Sequence, residues 1–298
     1  MSYADEVFIK NCRDILDKGV WDTDQAVRPR WEDGTPAHTI KLFGVVNRYD
    51  LSKEFPILTI RKQYLKNAVD ELLWIWQKNS NNIHDLNSHV WDAWADEKGS
   101  IGKAYGYQMG KSYRHHKIGH TELLDQKQYP SMFLDHNGWV YLSQTDGVLW
   151  DLKHNPSSRR ILTSIFNPTD LADMALQPCA WSTTFNVASG KLNMVLNQRS
   201  QDMLTANGWN VMQYAVLLYM IAQVTGFEPG ELVHVIADCH IYDRHVSMVE
   251  EIISREPLPA PGFFLEPGVK NFYEFTKDDV HLVNYEACPF DKHIPVAI

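Results

Sequence analysis

Between Lys62 and Lys78 the apolar residues Leu65, Ala68, Val69, Leu72, Leu73 and Trp76 recur every three or four positions, the repeat of a helix that buries one face. A second run, Val211 to Thr225, spreads Met212, Ala215, Val216, Tyr219, Met220 and Ala222 over most of the circumference. It predicts a helix covered on nearly all sides, and Gly226 is a natural stop. Between these two segments the period changes to two. Trp181, Thr183, Phe185 and Val187 alternate, Ser189-Gly190 offers a turn, and Leu192, Met194 and Leu196 alternate back, which predicts a hairpin. Further strands are expected at His38–Val45, Ile161–Ile165 and Leu232–Ile236, while Pro257, Pro259, Pro261 and Gly262 mark a late break. With no internal repeat, low-complexity tract or long linker, residues 1–298 are expected to form a single α+β domain, a mixed β-sheet packed by helices.

A chain of 298 residues with 44% hydrophobic and 22% charged residues can bury a sizeable core and is globular rather than disordered. The apolar run Tyr214–Ala222 is far shorter than the ~20 residues that span a bilayer, so no membrane partner is expected. The N-terminal turns carry Asp5, Glu6, Lys10 and Arg13 in place of the apolar stretch of a secretory signal, and a cytoplasmic address follows. Cys12, Cys179, Cys239 and Cys288 show neither CxxC pairing nor metal-ligand spacing, so no disulfide framework and no metal site are expected. A net charge of -9 argues against a DNA-binding or other broad nucleic-acid surface. Any anionic ligand must then meet a local basic pocket.

Candidate chemistry begins at Gln177-Pro178-Cys179, just ahead of the hairpin. The return strand ends at Gln198-Arg199-Ser200, and antiparallel pairing brings that arginine back toward Cys179, where a cation makes a thiol a useful nucleophile. Residue type alone favours a buried apolar cysteine. Arg159-Arg160 follows Asn155-Pro156-Ser157-Ser158 on a loop rim and reads either as a forked phosphate grip or as a solvated pair. Asp202, Asn210, His240 and Tyr242 are polar residues near apolar elements, open to readings as caps or as ligand contacts. Val90-Trp91-Asp92-Ala93-Trp94 offers aromatic faces for a planar heterocycle or simply core.

Taken together, Gln177-Pro178-Cys179, Val187–Leu192, Gln198-Arg199-Ser200-Gln201-Asp202, Asn210 and Asp238-Cys239-His240-Ile241-Tyr242 resemble the heart of the thymidylate synthases. The likeness extends to Glu71-Leu72-Leu73-Trp74, Trp91-Asp92-Ala93-Trp94-Ala95-Asp96-Glu97, Tyr105-Gly106, Ser158-Arg159-Arg160, Arg255-Glu256-Pro257 and Pro295-Val296-Ala297-Ile298, nearly the whole chain. The resemblance implies reductive methylation of dUMP to dTMP, with 5,10-methylenetetrahydrofolate as donor of one carbon and a hydride. It implies that Cys179 adds to C6 of the uracil, that Arg199 lowers the cysteine pKa and binds phosphate, and that Glu71 and Tyr105 handle protons. Ser200 is then a phosphate contact, His240 and Tyr242 hold the deoxyribose 3'-hydroxyl, and Asn210 reads the base. Asp202 reads the pterin, Trp91 lies on the folate wall, and Val296, Ala297 and Ile298 form a lid. It further implies a sheet-mediated homodimer in which Arg159 and Arg160 cross into the partner's site.

Three departures from the family pattern stand out. The usual arginine-threonine-glycine phosphate loop is replaced by Val27-Arg28-Pro29-Arg30-Trp31, followed by Gly34-Thr35-Pro36-Ala37-His38-Thr39, which resembles a bacillus and phage branch and leaves Arg28 or Arg30 as the phosphate arginine. Ala180 follows Cys179 where many members have histidine. The segment of about 114–143, with Trp139 and Tyr141 near its end, is longer than in compact bacterial members and is expected to be a solvent-facing loop excursion. The rival readings are a folate-dependent hydroxymethylase acting on dUMP or dCMP, and a nucleotide- or RNA-binding regulator without turnover.

Overall fold

A computed structural model describes residues 1–119 and 124–298. In chain order the elements are helix α1 (Tyr3–Lys18), strands β1 (Val20–Trp21) and β2 (Thr39–Asp50), helices α2 (Leu65–Trp76) and α3 (Gly106–Gly110), and strands β3 (Tyr113–Lys117), β4 (Phe133–Leu134) and β5 (Trp139–Leu142). Helix α4 (Gln144–His154), strands β6 (Leu162–Ser164), β7 (Ala180–Ala188) and β8 (Lys191–Asp202), helix α5 (Gly208–Thr225) and strand β9 (Glu228–Tyr242) follow. Helix α6 (Val246–Ile253) and strands β10 (Gly262–Leu265) and β11 (Val280–Val283) complete the chain.

The main sheet has the order β1-β2-β9-β8-β7-β6. Every neighbouring pair is antiparallel except β8 and β9, which run parallel and therefore need a crossover, supplied by α5. That duty explains why α5 is apolar around its circumference: it packs on the sheet below and on α2 beside it. Its end is set by Gly226 at φ 81°, a left-handed cap that an L side chain rarely adopts. The expected β7–β8 hairpin is present. Ser189 (φ 50°) and Gly190 (φ 75°) form its two-residue left-handed turn between the paired Ala188 and Lys191, the twist that antiparallel strands favour.

The inner face of the sheet, with Phe185, Leu192, Met194, Leu196, Leu232 and Ile236, is buried under the helices. Its other face carries Val46, Thr184, Val195, Val233 and Val235, none of them fully buried, together with Phe43, which is 90% exposed. A sheet normally buries both faces when both are this apolar.

One expectation fails. The stretch of about 114–143 is not a loop excursion: β3, β5 and β4 form a small three-stranded sheet, and Met132, Val140 and Leu142 join the core. Alternation of Trp139, Val140, Tyr141 and Leu142, half-buried and buried in turn, is the strand signal in that segment. Residues 120–123 lie outside the described residues.

Candidate active site

The hairpin geometry brings the thiol and the guanidinium together. Pairing runs from the turn to Ala180 opposite Gln198, with a bulge between Ala180 and Ser182, and the Arg199 amide then donates to the Cys179 carbonyl at 2.9 Å. The guanidinium is tied down by its own loop: Nε donates to the Pro178 carbonyl at 3.0 Å and Nη2 to the Gln177 carbonyl at 2.7 Å, with Nη2 3.7 Å from Cys179 Sγ. Burial pushes the Cys179 thiol up, while Arg199 and, to a lesser extent, Arg28 pull it down. The net direction is upward. Arg199 therefore lowers the cost of forming a thiolate in this half-buried position, in the expected direction, while burial remains the larger effect.

Glu71, on α2, is a buried carboxyl facing three donors. Its Oε1 accepts from Trp91 Nε1 at 2.6 Å, and its Oε2 accepts from Trp209 Nε1 at 2.6 Å and Gln213 Nε2 at 2.7 Å. Burial raises its pKa more than Trp209, Trp91 and Gln213 lower it, so it holds a proton more tightly than an ordinary glutamate. Trp91 leads from this carboxyl toward the thiol: its ring meets Tyr105 edge-on at 4.9 Å, and the Tyr105 hydroxyl accepts the Cys179 N–H at 3.2 Å. Tyr105 sits at φ 43°, a backbone state that costs on the order of 1–3 kcal/mol and is held only when the surroundings impose it. Close packing does so here. A Cβ on the next residue, Gly106, would lie 2.0 Å from the Ser80 carbonyl oxygen, so the chain must pass through this turn without a side chain.

The polar residues of β8 and β9 align through the parallel register, which sets Ser200 opposite Asp238 and Asp202 opposite His240. His240 Nδ1 lies 2.6 Å from Asp238 Oδ1, and the Tyr242 ring meets His240 edge-on at 5.1 Å. Asp202 caps the π-helical turn Met203–Asn207 that follows β8, accepting from the Leu204 and Thr205 amides at 2.8 and 3.3 Å and from the Thr205 hydroxyl at 2.6 Å. Asn210, in the first turn of α5, has its Oδ1 taken by Gln198 Nε2 at 3.0 Å and, more weakly, by Gln201 Nε2 at 3.4 Å. Its NH2 group is the end left for a ligand.

The C-terminal tail is docked beside this group. Ile298 and Arg30 exchange two backbone hydrogen bonds, at 2.8 and 3.0 Å, which puts Ala297 next to the segment that carries Arg28. His245, 1% exposed, reaches the Pro295 carbonyl with Nε2 at 2.8 Å and faces Asp202 with Nδ1 at 3.6 Å, an ion-pair distance rather than a hydrogen bond. The choice between Arg28 and Arg30 narrows as well. Arg28 is the one whose charge acts on Cys179 and Tyr242, whereas the Arg30 backbone holds the tail. Arg159 and Arg160 are exposed on the turn before β6 and are not brought to the thiol. Sequence reasoning missed Trp209, Gln213, Gln198 and His245. The spacing of Trp209 and Gln213, four apart on the α5 pattern, marks them as one face.

A thiol held beside a guanidinium, with a buried carboxyl of raised pKa behind it, is an arrangement suited to an enzyme that works by nucleophilic addition. Comparison with known proteins specifies which. Residues 6–298 match the thymidylate synthase family. The chain is 44% identical to thymidylate synthase of Bacillus licheniformis and 43% identical to that of Bacillus phage phi3T, each over 290 residues covering 96% of both chains. Among solved structures it is similar to thermostable thymidylate synthase A from Bacillus subtilis, with a TM-score of 0.87, 41% identity and full coverage of both chains. The chain belongs to the thymidylate synthase family, and its reaction is the reductive methylation of dUMP to dTMP with methylenetetrahydrofolate as co-substrate.

Proposed function

We propose that Cys179 is the nucleophile of this reaction and that the residues around it divide the remaining work among them. The observation that carries the reading is the thiol at 3.7 Å from a guanidinium already fixed by two backbone carbonyls. Cys179 sulfur adds to C6 of the uracil, the C5=C6 electron pair moves onto C5 and O4, and C5 becomes the carbon nucleophile. After C5 has bonded to the one-carbon unit the C5 proton is lost, the bond from that carbon to the folate nitrogen breaks to leave an exocyclic methylene, the folate hydride adds to that methylene, and the sulfur leaves C6, restoring the ring double bond and the thiolate. A soft thiolate suits both steps, since it adds and departs without strong acid or base. Bound methylenetetrahydrofolate supplies the one-carbon unit and the hydride.

Glu71 holds a proton for the pyrimidine, because its raised pKa makes it a better acid near neutrality than an exposed glutamate. Tyr105, whose oxygen already accepts the Cys179 amide, keeps its own hydrogen to donate into the site. Arg199, Ser200 and Arg28 receive the phosphate, His240 and Tyr242 the 3'-hydroxyl, and Asn210 the base. The folate side fits a pterin. Gln201 Oε1 and Asn207 Nδ2, a buried acceptor and a buried donor without partners, lie in the same turn region as Asp202, and Trp91 gives that side an aromatic wall. Asp202 reads the pterin with what its turn leaves unused, and Ala297 closes over the ligand as part of the tail.

We further propose a homodimer formed through the uncovered sheet face, with the partner's Arg159 and the partner's Arg160 completing each phosphate site. Strand register favours donation in trans. Leu162 pairs with Thr184 and Ser164 with Ser182, so Arg159 and Arg160 flank the far end of β7, about 23 Å from Cys179 at ~3.3 Å per residue. Their arrival from a second copy would add two positive charges near a thiol that burial otherwise keeps protonated. The four cysteines are free thiols, which suits a reducing compartment, and we place the enzyme in the cytoplasm. Cys179→Ala should abolish dTMP formation while dUMP binding by calorimetry stays measurable; substantial turnover by that variant would remove Cys179 from its role.

A further inference from the structure

Behind Asn210 a short row of buried polar side chains runs away from the substrate side. Gln198, 2% exposed on the inner face of β8, donates to Asn210, and its Oε1 lies 2.7 Å from Nε2 of His234, a fully buried residue of β9. A histidine among Leu232, Ile236 and the apolar underside of α5 is an expensive choice for a core position, and the reaction as described makes no use of it.

Two proton arrangements satisfy the row. In the first, the imidazole hydrogen sits on Nε2 and is given to Gln198 Oε1. Gln198 must then donate to Asn210, which turns its Oδ1 inward and its NH2 toward the pyrimidine. In the second, the hydrogen sits on Nδ1 and both amides reverse, so Asn210 turns its oxygen outward. Nδ1 of His234 is buried without a partner. It is a bare lone pair in the first arrangement and an orphaned N–H in the second, and the orphaned donor is the costlier. Gln201 adds a second donor to Asn210 Oδ1, which also selects the first. Burial takes the His234 pKa down to about 3, so the ring stays neutral and never carries both hydrogens at working pH.

We infer that His234 is a positioning residue for base choice, which acts through Gln198 to hold the Asn210 NH2 toward the pyrimidine. Uracil O4 accepts from that group. Cytosine presents a 4-amino donor to it and is refused. The inference rests on the proposed contact between Asn210 and the base.

The test is the ratio of Kd for dCMP to Kd for dUMP, measured by calorimetry on the full-length protein. Gln198→Glu offers two acceptors, so His234 still donates to it but Asn210 must reverse; the ratio should fall at least tenfold. His234→Leu frees both amides to turn and should lower it several-fold, and His234→Gln, which returns an N–H near Nε2, should restore it. Thermal unfolding identifies any variant that fails to fold, and the other then decides. In the Asn210→Asp background, which has no amide to turn, adding His234→Leu should leave the ratio where Asn210→Asp put it. If Asn210→Asp shifts the ratio but neither Gln198→Glu nor His234→Leu does, His234 is a structural residue and the inference fails while base reading by Asn210 stands. If Asn210→Asp leaves the ratio unmoved, Asn210 does not read the base and the inference falls with it.

Discussion

Trp209→Phe removes one N–H from the Glu71 carboxyl and keeps most of the ring in place. The lost bond, 2.6 Å to Oε2, is one of three that favour the ionised form against a burial cost that already outweighs them. A hydrogen bond to a charged group contributes about 1.5–3 kcal/mol, and one pKa unit corresponds to about 1.36 kcal/mol. The Glu71 pKa should therefore rise by about one to two units. The basic limb of log kcat/KM against pH, on which activity falls as this proton is lost, reports the carboxyl in the free enzyme and should move up by that amount, with the plateau at lower pH less affected. Stability should follow the same group. Because the folded pKa of Glu71 lies above its unfolded value, the stabilising contribution of the bound proton is lost as pH rises through the folded pKa, and the variant gives up more on ionising. The melting-temperature gap between wild type and Trp209→Phe should widen from pH 5 toward pH 8. A basic limb that does not move would show that Glu71 is not the carboxyl that titrates in the reaction.

Mixing Cys179→Ala chains with Arg159→Ala/Arg160→Ala chains, each inactive alone, should restore up to roughly half of native activity per hybrid dimer, since one of its two sites is complete; no recovery, with hybrids shown to form, would count against arginines supplied in trans. Deleting residues 295–298 should slow turnover far more than it weakens dUMP binding, because the tail completes the dry site after the nucleotide is seated. The tail latch should also loosen with alkali. Burial pulls the His245 pKa down, but Asp202, the Pro295 carbonyl and Asp243 outweigh it and hold it up, so this stabilisation is full below the ordinary histidine pKa and is lost as pH rises through the raised one. Carboxypeptidase release of the tail should accelerate over that rise in the wild type and stay flat with pH in His245→Gln, which keeps a donor but carries no charge.

The parts of the site legible in the sequence are those that a local pattern fixes. A two-residue turn at Ser189-Gly190 sets the hairpin register, and the register alone returns Arg199 to Cys179. Asp202 and His240 are placed by a parallel register that no local pattern reveals, and the resemblance to the family, rather than periodicity, brought them together. The partners of Glu71 were hidden for a similar reason: Trp209 and Gln213 lie more than a hundred residues away on a helix that reads as uniformly apolar. The net electrostatic balance at Cys179 is not legible in the sequence. A neighbouring arginine is visible in the sequence, but the desolvation that opposes it depends on what covers the thiol. The small sheet within 114–143 was missed because its strands are only two to five residues long, too short for alternation to stand out from loop.

The most direct measurement mixes the protein with dUMP and methylenetetrahydrofolate and counts nucleotide product against folate oxidised. Reductive methylation predicts one dTMP for each dihydrofolate formed, in the wild type and not in Cys179→Ala. A 5-hydroxymethyl nucleotide formed without folate oxidation, or nucleotide binding with no product at all, would contradict it.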